Sequence, residues 1–175
     1  IGSFSTGGKL LAALFQSVTL RTAGFASFNQ DALTEASKLL SNILMFVGGS
    51  SGSTAGGVKT VTMGLVVLSA VSTMRGRRQV TVFRRSISQQ DISNAVSVAL
   101  LVLGLSLFGA AVLTVCDRCS FLNAIYETTS ALCTVGLTTG ITGTLCAASK
   151  LILIVFMFFG RVGIMTIGVG FMMGD

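Results

Sequence analysis

Apolar residues gather in blocks of unequal length. From Ile92 to Val115 no charged residue interrupts the run. At about 1.5 Å per residue, a helix of this length crosses a bilayer core of roughly 30 Å. Leu151 to Gly174 forms a second long run, with one charge, Arg161, near its middle. Leu39 to Met74 forms a third, with only Lys59 inside it and the stretch "GGSSGSTAGGVKT" (Gly48 to Thr60) lying across it. That run is too long for one straight span, so it predicts two helical pieces flanking a break. Lys9 to Leu20 and Ser120 to Leu132 are too short to cross and predict re-entrant or interfacial helices. Each leads at once into a Thr-x-Gly-apolar turn, Thr22-Ala23-Gly24-Phe25 and Thr134-Val135-Gly136-Leu137.

The displacement that lays the first of these turns on the second also lays Leu20 on Leu132 and Ser17 on Thr129. It lays Met45-Phe46-Val47-Gly48 on Met157-Phe158-Phe159-Gly160 without a gap. Two separated motifs matching at one displacement read as an internal duplication: short helix, Thr-x-Gly turn, loop, then a long helix bearing M-F-x-G.

Composition strengthens the membrane reading. The chain is 51% hydrophobic and 10% charged, with a mean hydropathy of +0.85. A soluble domain carries about 25% charged residues, and so few charges cannot cover a globular surface. Ile1 opens on sequence that looks internal, with no initiator Met and no signal-peptide pattern, so a piece of a longer membrane protein is expected. The net charge of +6 is concentrated in "RGRRQVTVFRR", with Arg75, Arg77, Arg78, Arg84 and Arg85. A basic loop between apolar segments marks the cytoplasmic side. Contact with anionic lipid is the ordinary use of such a loop, and nucleic acid is not an expected partner. One span separates this loop from Ser120, which puts the Thr-x-Gly turns near the opposite, outer side. Cys116 and Cys119 form a C-x-x-C, but there is no His and no second pair at ligand spacing, so a zinc site is not expected. The pair reads either as a redox couple or as two small apolar residues; Cys133 and Cys146 stand alone.

A short helix that enters and leaves on one side carries backbone at membrane depth that lipid cannot satisfy. Such backbone survives where protein buries it or a wet path hydrates it. A Thr-x-Gly turn there can aim carbonyls at an axis, because Gly accepts backbone angles that other residues resist. Carbonyl rings replace the water shell of a cation, and the negative end of a helix dipole favours a cation nearby. The turns therefore read as cation-filter loops, against the plainer reading of helix–loop connections with no ion.

The phosphate-loop reading of Gly48 to Thr60 fails. Val58 stands before Lys59 and Ser53 stands where the other glycine of a Walker loop is required, with no strand pattern ahead. A flexible soluble linker would leave two half-length apolar helices unexplained. No catalytic triad, metal cluster or nucleotide motif is present, and no enzyme activity is expected.

In "LFQSVTLRTAGFASFN", "LMFVGGSSGSTAGGVKT", "TVGLTTGIT" and "MFFGRVG" the chain resembles the second half of a Trk/Ktr/HKT-type potassium transporter pore subunit, most like the Ktr-type bacterial subunits. The resemblance covers essentially the whole chain. It implies an all-α membrane protein of helix–P-loop–helix repeats, like a potassium-channel pore, with one broken inner helix. Residues 1–74 would be the third-repeat pore helix, filter loop and broken inner helix, 75–91 a basic cytoplasmic linker, and 92–175 the fourth repeat. Gly24 and Gly136 would be filter glycines, with Thr22, Ala23, Gly24 and Phe25 forming one filter loop and Thr134, Val135, Gly136 and Leu137 the other. Potassium would sit at the carbonyls of Thr22, Ala23, Gly24, Thr134, Val135 and Gly136.

By the same resemblance, Gly48, Gly49, Ser50, Ser51, Gly52, Ser53, Thr54, Ala55, Gly56, Gly57, Lys59 and Thr60 form an intramembrane gating loop below the filter. Arg161 would act as an electrostatic barrier that pairs with the loop. A charge at mid-membrane is costly and by default a functional hypothesis; the plain alternative is an Arg that snorkels or pairs structurally. By the internal displacement Arg161 falls opposite Gly49. Lys59 either points into the cavity or sits by the loop hydroxyls. Glu127, with Gln16 close to its counterpart, either braces the filter from behind or faces water.

The resemblance further implies the remaining repeats of the same subunit as partners, a membrane homodimer, a cytosolic ring of nucleotide-binding regulatory subunits and a bacterial inner-membrane location. No cofactor is expected; K⁺ is the transported ion, with Na⁺ as the second candidate. The sequence departs from the family in having Ser51 where Pro is frequent, no Pro anywhere, and neither the first two repeats nor the outer helix of the third. Two other classes stand beside this reading: a broken-helix secondary transporter of a small solute, and a non-conducting membrane assembly module.

Overall fold

The structure, a computed structural model, describes residues 5–50, 56–76, 81–82 and 85–163. Apart from loops and an isolated bridge between Val47 and Val58, these residues are helical except for one antiparallel pair of two-residue strands, β1 (Thr81–Val82) and β2 (Arg85–Ser86), within the basic segment. The all-α expectation therefore holds for the architecture, and the hairpin is a local exception to it. Both residues of β1, Thr81 and Val82, are β-branched, which favours strand.

Helix α1 (Thr6–Thr19) begins at Ser5, whose side chain accepts from the Gly8 N–H. Helix α2 (Glu35–Phe46) begins in the same way at Thr34, which accepts from the Ser37 N–H. Helix α3 (Thr60–Met74) is apolar throughout. Helix α4 (Gln89–Asp117), with its cap at Ser88, extends past both ends of the uncharged run. Among the described residues it is the one helix long and apolar enough to cross a membrane. Arg118, in a left-handed conformation at φ 50°, ends it. Helix α5 (Phe121–Leu132) follows directly, and α6 (Ala147–Val162) completes the described chain.

The apolar run from Leu39 to Met74 is divided as its length demands, with α2 ending at Phe46 and α3 starting at Thr60. The last apolar run differs from its sequence reading. α6 begins at Ala147 and ends at Val162, because Gly163 takes a φ of 92°. Arg161 consequently lies in the last turn of a helix, where the negative end of the dipole favours a cation, rather than in mid-helix.

α5 is the centre of the packing. It lies against α2, α4 and α6, while α3 packs on α4. Every residue from Tyr126 to Leu132 is buried. Small residues allow this crowding. A Cβ at Gly160 of α6 would collide with the Leu132 carbonyl oxygen, so α6 rests on the end of α5 backbone to backbone. The core joins Leu113 of α4, Tyr126 and Leu132 of α5 and Phe156 of α6 to Met45 of α2 and Val58 beyond the break.

Candidate functional site

α1 and α5 end in turns of the same kind. Ala23 and Gly24 N–H groups both donate to the Thr19 carbonyl at 3.2 Å. Val135 N–H donates to Ser130 O at 2.9 Å and Thr134 N–H to Ala131 O at 3.2 Å. Thr22 and Gly24 have φ of 67° and 77°, and Thr134 and Gly136 have 55° and 87°. A left-handed threonine is uncommon because its branched Cβ crowds the backbone; here it occurs at both turns, at positions related by the internal displacement.

The turns leave their carbonyls open. Among the described residues no hydrogen-bond donor reaches the carbonyl oxygens of Thr22, Ala23, Gly24, Thr134, Val135 or Gly136. The next carbonyl in each turn is held: Thr19 Oγ1 donates to Phe25 O, and Ser130 Oγ to Leu137 O, each at 2.6 Å. The two turns also touch, since a Cβ at Gly24 would collide with the Val135 carbonyl oxygen. A side chain at Gly24 is thus excluded twice, by space and by φ.

The break between α2 and α3 lies directly beneath the second turn. Its neck is closed by its own backbone: Gly48 N–H donates to Val58 O at 2.8 Å and Thr60 N–H to Gly49 O at 3.2 Å, around a parallel bridge between Val47 and Val58. Arg21, just before the first turn, donates from Nη1 to Val47 O at 2.5 Å and so holds the end of α2. Gly56 N–H donates to Thr134 Oγ1 at 2.9 Å. A Cβ at Gly57 would lie 2.8 Å from Cys133 Sγ. The descending arm of the loop therefore rests on the base of the second turn. Of the loop, Gly48, Gly49 and Ser50 and the stretch from Gly56 to Thr60 are described; Ser51, Gly52, Ser53, Thr54 and Ala55 lie outside the described residues. Lys59 is exposed at the start of α3.

A cavity of about 560 Å³ opens beside the second turn, with Glu127, Thr134, Gly136, Thr138 and Arg161 among its lining residues. Glu127 is buried and faces protein, not bulk water. Its Oε1 accepts from Thr138 Oγ1 at 2.6 Å, Thr139 N–H at 2.8 Å and Thr139 Oγ1 at 3.1 Å, and its Oε2 from Thr142 Oγ1 at 2.9 Å. It clamps the segment after the turn to the helix before it.

The TrkH family, described as a cation transport protein, matches residues 1–174. The chain belongs to this family. TrkH-type proteins are cation transporters and not enzymes, and membership makes this chain part of a membrane protein. It is 41% identical over 158 residues to the Ktr system potassium uptake protein B of Bacillus subtilis, covering 90% of this chain and 36% of that one. It is 34% identical to the protein of the same name in Vibrio alginolyticus, covering 95% and 37%. Against a potassium/sodium uptake protein of Enterococcus hirae the identity is 37%, covering 91% and 36%. The chain thus spans little more than a third of the length of the curated relatives it matches.

Several residues of this TrkH-family chain were missed by sequence reasoning. Gln30, in a 3-10 turn (Gln30–Ala32), links Gln16 of α1 to Tyr126 of α5. Lys38 of α2 donates from Nζ to Asp31 Oδ1 and to Asn123 Oδ1 of α5, both at 3.0 Å. One signal was available: the displacement that pairs the turns lays Lys38 on Lys150, and Lys150 likewise donates to the residue seven positions before it, Gly143 O, at 3.1 Å. The cysteines are free thiols in separate settings. Cys116 is exposed, Cys119 donates to Leu113 O at 3.6 Å, Cys133 lies under Gly57, and Cys146 caps α6 through the Ser149 N–H.

Proposed function

We propose that this chain forms the third and fourth repeats of a potassium-uptake pore, with filter loops at Thr22 to Phe25 and Thr134 to Leu137. Residues 1–74 serve as the third repeat, 75–91 as the cytoplasmic linker and 92–175 as the fourth. The observation that carries this reading is the open row of carbonyls at two touching turns, ended in each by a hydroxyl-held carbonyl. Apart from Val135, the residues that carry these carbonyls are half-buried or exposed. Water or a cation can therefore reach the open oxygens, and a carbonyl ring replaces the water shell of a dehydrated monovalent cation. The names of the relatives, potassium uptake in two and potassium/sodium uptake in a third, support K⁺ as the carried ion with Na⁺ beside it.

The loop from Gly48 to Thr60 acts as the gate. Its arm lies against the filter base through Gly56 and Thr134, and Arg161, next to Gly160 on the same side, supplies the electrostatic barrier. The remaining repeats of the same subunit close the pore, two such subunits form a dimer in the bacterial plasma membrane, and a cytosolic nucleotide-binding ring regulates it. The basic linker faces that ring and the anionic lipid.

Rb⁺ uptake by the full-length parent protein, in cells without their own potassium uptake, tests the filter. Wild type restores uptake, and Gly136→Ser, which places a side chain at a φ of 87°, loses preference for K⁺ over Na⁺. Unchanged preference in the serine variant would sink the filter assignment and favour a broken-helix solute transporter.

A further inference from the structure

We infer that Gln30 is a positioning residue that keys the first filter turn to the second, and that ion preference depends on this link. The inference rests on the filter reading and extends it to a residue outside both turns.

Gln30 is 1% exposed. A primary amide has two acceptor positions and two donors, and at Gln30 all four are used. Oε1 accepts from Gln16 Nε2 at 2.6 Å and from Tyr126 Oη at 3.2 Å. Nε2 donates to Gln16 Oε1 at 3.4 Å and to Phe28 O at 3.1 Å. The partners join three separate parts of the chain. Gln16 lies in the last turns of α1, ahead of Thr22 to Phe25. Phe28 lies in the segment that leaves this turn. Tyr126 lies on α5, wholly buried, ahead of Thr134 to Leu137. One side chain therefore fixes a helix, the segment after its turn, and the neighbouring short helix.

The placement matters because the turns meet at Gly24 and Val135 with no room between them. A carbonyl array discriminates between ions through the spacing and field of its oxygens. Within each turn the spacing is set by local backbone bonds. Between the turns it is set by whatever joins α1 to α5. The Gln30–Tyr126 bond supplies a direct polar join in register with both turns.

Two variants of the full-length transporter separate this role from general support. Tyr126→Phe keeps the ring and removes only the join to α5. Gln30→Met keeps the side-chain length and removes all four bonds. K⁺ preference, read from inhibition of Rb⁺ uptake by Na⁺, is expected to fall by about three- to tenfold in Tyr126→Phe, the scale of one buried hydrogen bond. Gln30→Met should fall at least as far, and the double variant no further than Gln30→Met. Gly136→Ser is measured alongside. A shift in Gly136→Ser with none in Tyr126→Phe overturns this inference and leaves the filter standing. No shift in Gly136→Ser removes the filter reading and this inference together. Reduced folded protein with unchanged ion preference also overturns it, because mere support of the fold predicts that pattern. Should Gln30→Met fail to fold, Tyr126→Phe decides alone.

Discussion

The two turns have one backbone and two kinds of support. α5 is enclosed by three helices and buried from Tyr126 to Leu132. Behind the second turn, the Glu127 carboxylate gathers Thr138, Thr139 and Thr142. Behind the first, a pair of neutral amides, Gln16 and Gln30, ties the helix to the segment after the turn. The internal displacement lays Gln30 on Thr142 and Gln16 one position from Glu127, so the same join is made with different chemistry. Glu127 gathers four hydrogen bonds from that segment, where Gln16 and Gln30 share two between them. A duplicated backbone can therefore keep its geometry while its two copies become unequal in rigidity.

The largest expected effect sharpens that contrast. Glu127→Ala leaves the buried Thr139 N–H unpaired and releases three hydroxyls, at a cost upwards of about 3 kcal/mol, whereas Gln16→Ala costs about 1 kcal/mol. Thermal unfolding of the full-length protein in detergent measures both, and equal losses would break the comparison. Next come the glycines related by the displacement. Gly160→Ala drives a methyl into the Leu132 carbonyl within the crowded end of α5, costing about 1–3 kcal/mol. Gly48→Ala meets the Gly56 carbonyl of the loop instead, and is expected to destabilise less because a loop arm gives way more readily than a helix end. The reverse order in the same unfolding assay would show that the neck, not the α5–α6 contact, is the stiffer element. The smallest difference concerns the paired lysines. Lys38→Met strips the bond from a buried ammonium to Asn123 and its pair with the exposed Asp31, costing about 1–3 kcal/mol. Lys150→Met removes an exposed bond worth about 0–1 kcal/mol. Chemical denaturation midpoints of the two variants give the difference directly.

The sequence carried the helices where composition alone decides them. The uncharged run marked α4, and a Gly/Ser stretch inside an apolar run too long for one span marked the gap between α2 and α3. The short helices before the turns were legible from their length. The end of α6 was not legible, because hydrophobicity continues beyond Val162 while the helix ends on the conformation of Gly163, which hydropathy does not record. The hairpin at Thr81–Ser86 was hidden inside a segment read for its charge. At the candidate site, the Thr and Gly positions were visible because they recur. Gln30, Tyr126, Lys38 and Asn123 were not, because their bonds join residues distant in sequence and exist only once α2 and α1 are laid beside α5.

The closed neck of the broken helix has a consequence for how this region can vary. Gly48 and Gly49 are bonded to Val58 and Thr60, so the separation of α2 from α3 is set at the neck and not by the residues beyond it. Loop closure depends only weakly on length, a doubling costing about 0.6 kcal/mol. Lengthening the chain between positions 50 and 56 thus adds little closure cost and leaves the neck bonds in place. A longer segment here would therefore change what lies beyond the neck while the α2–α3 frame stays as it is.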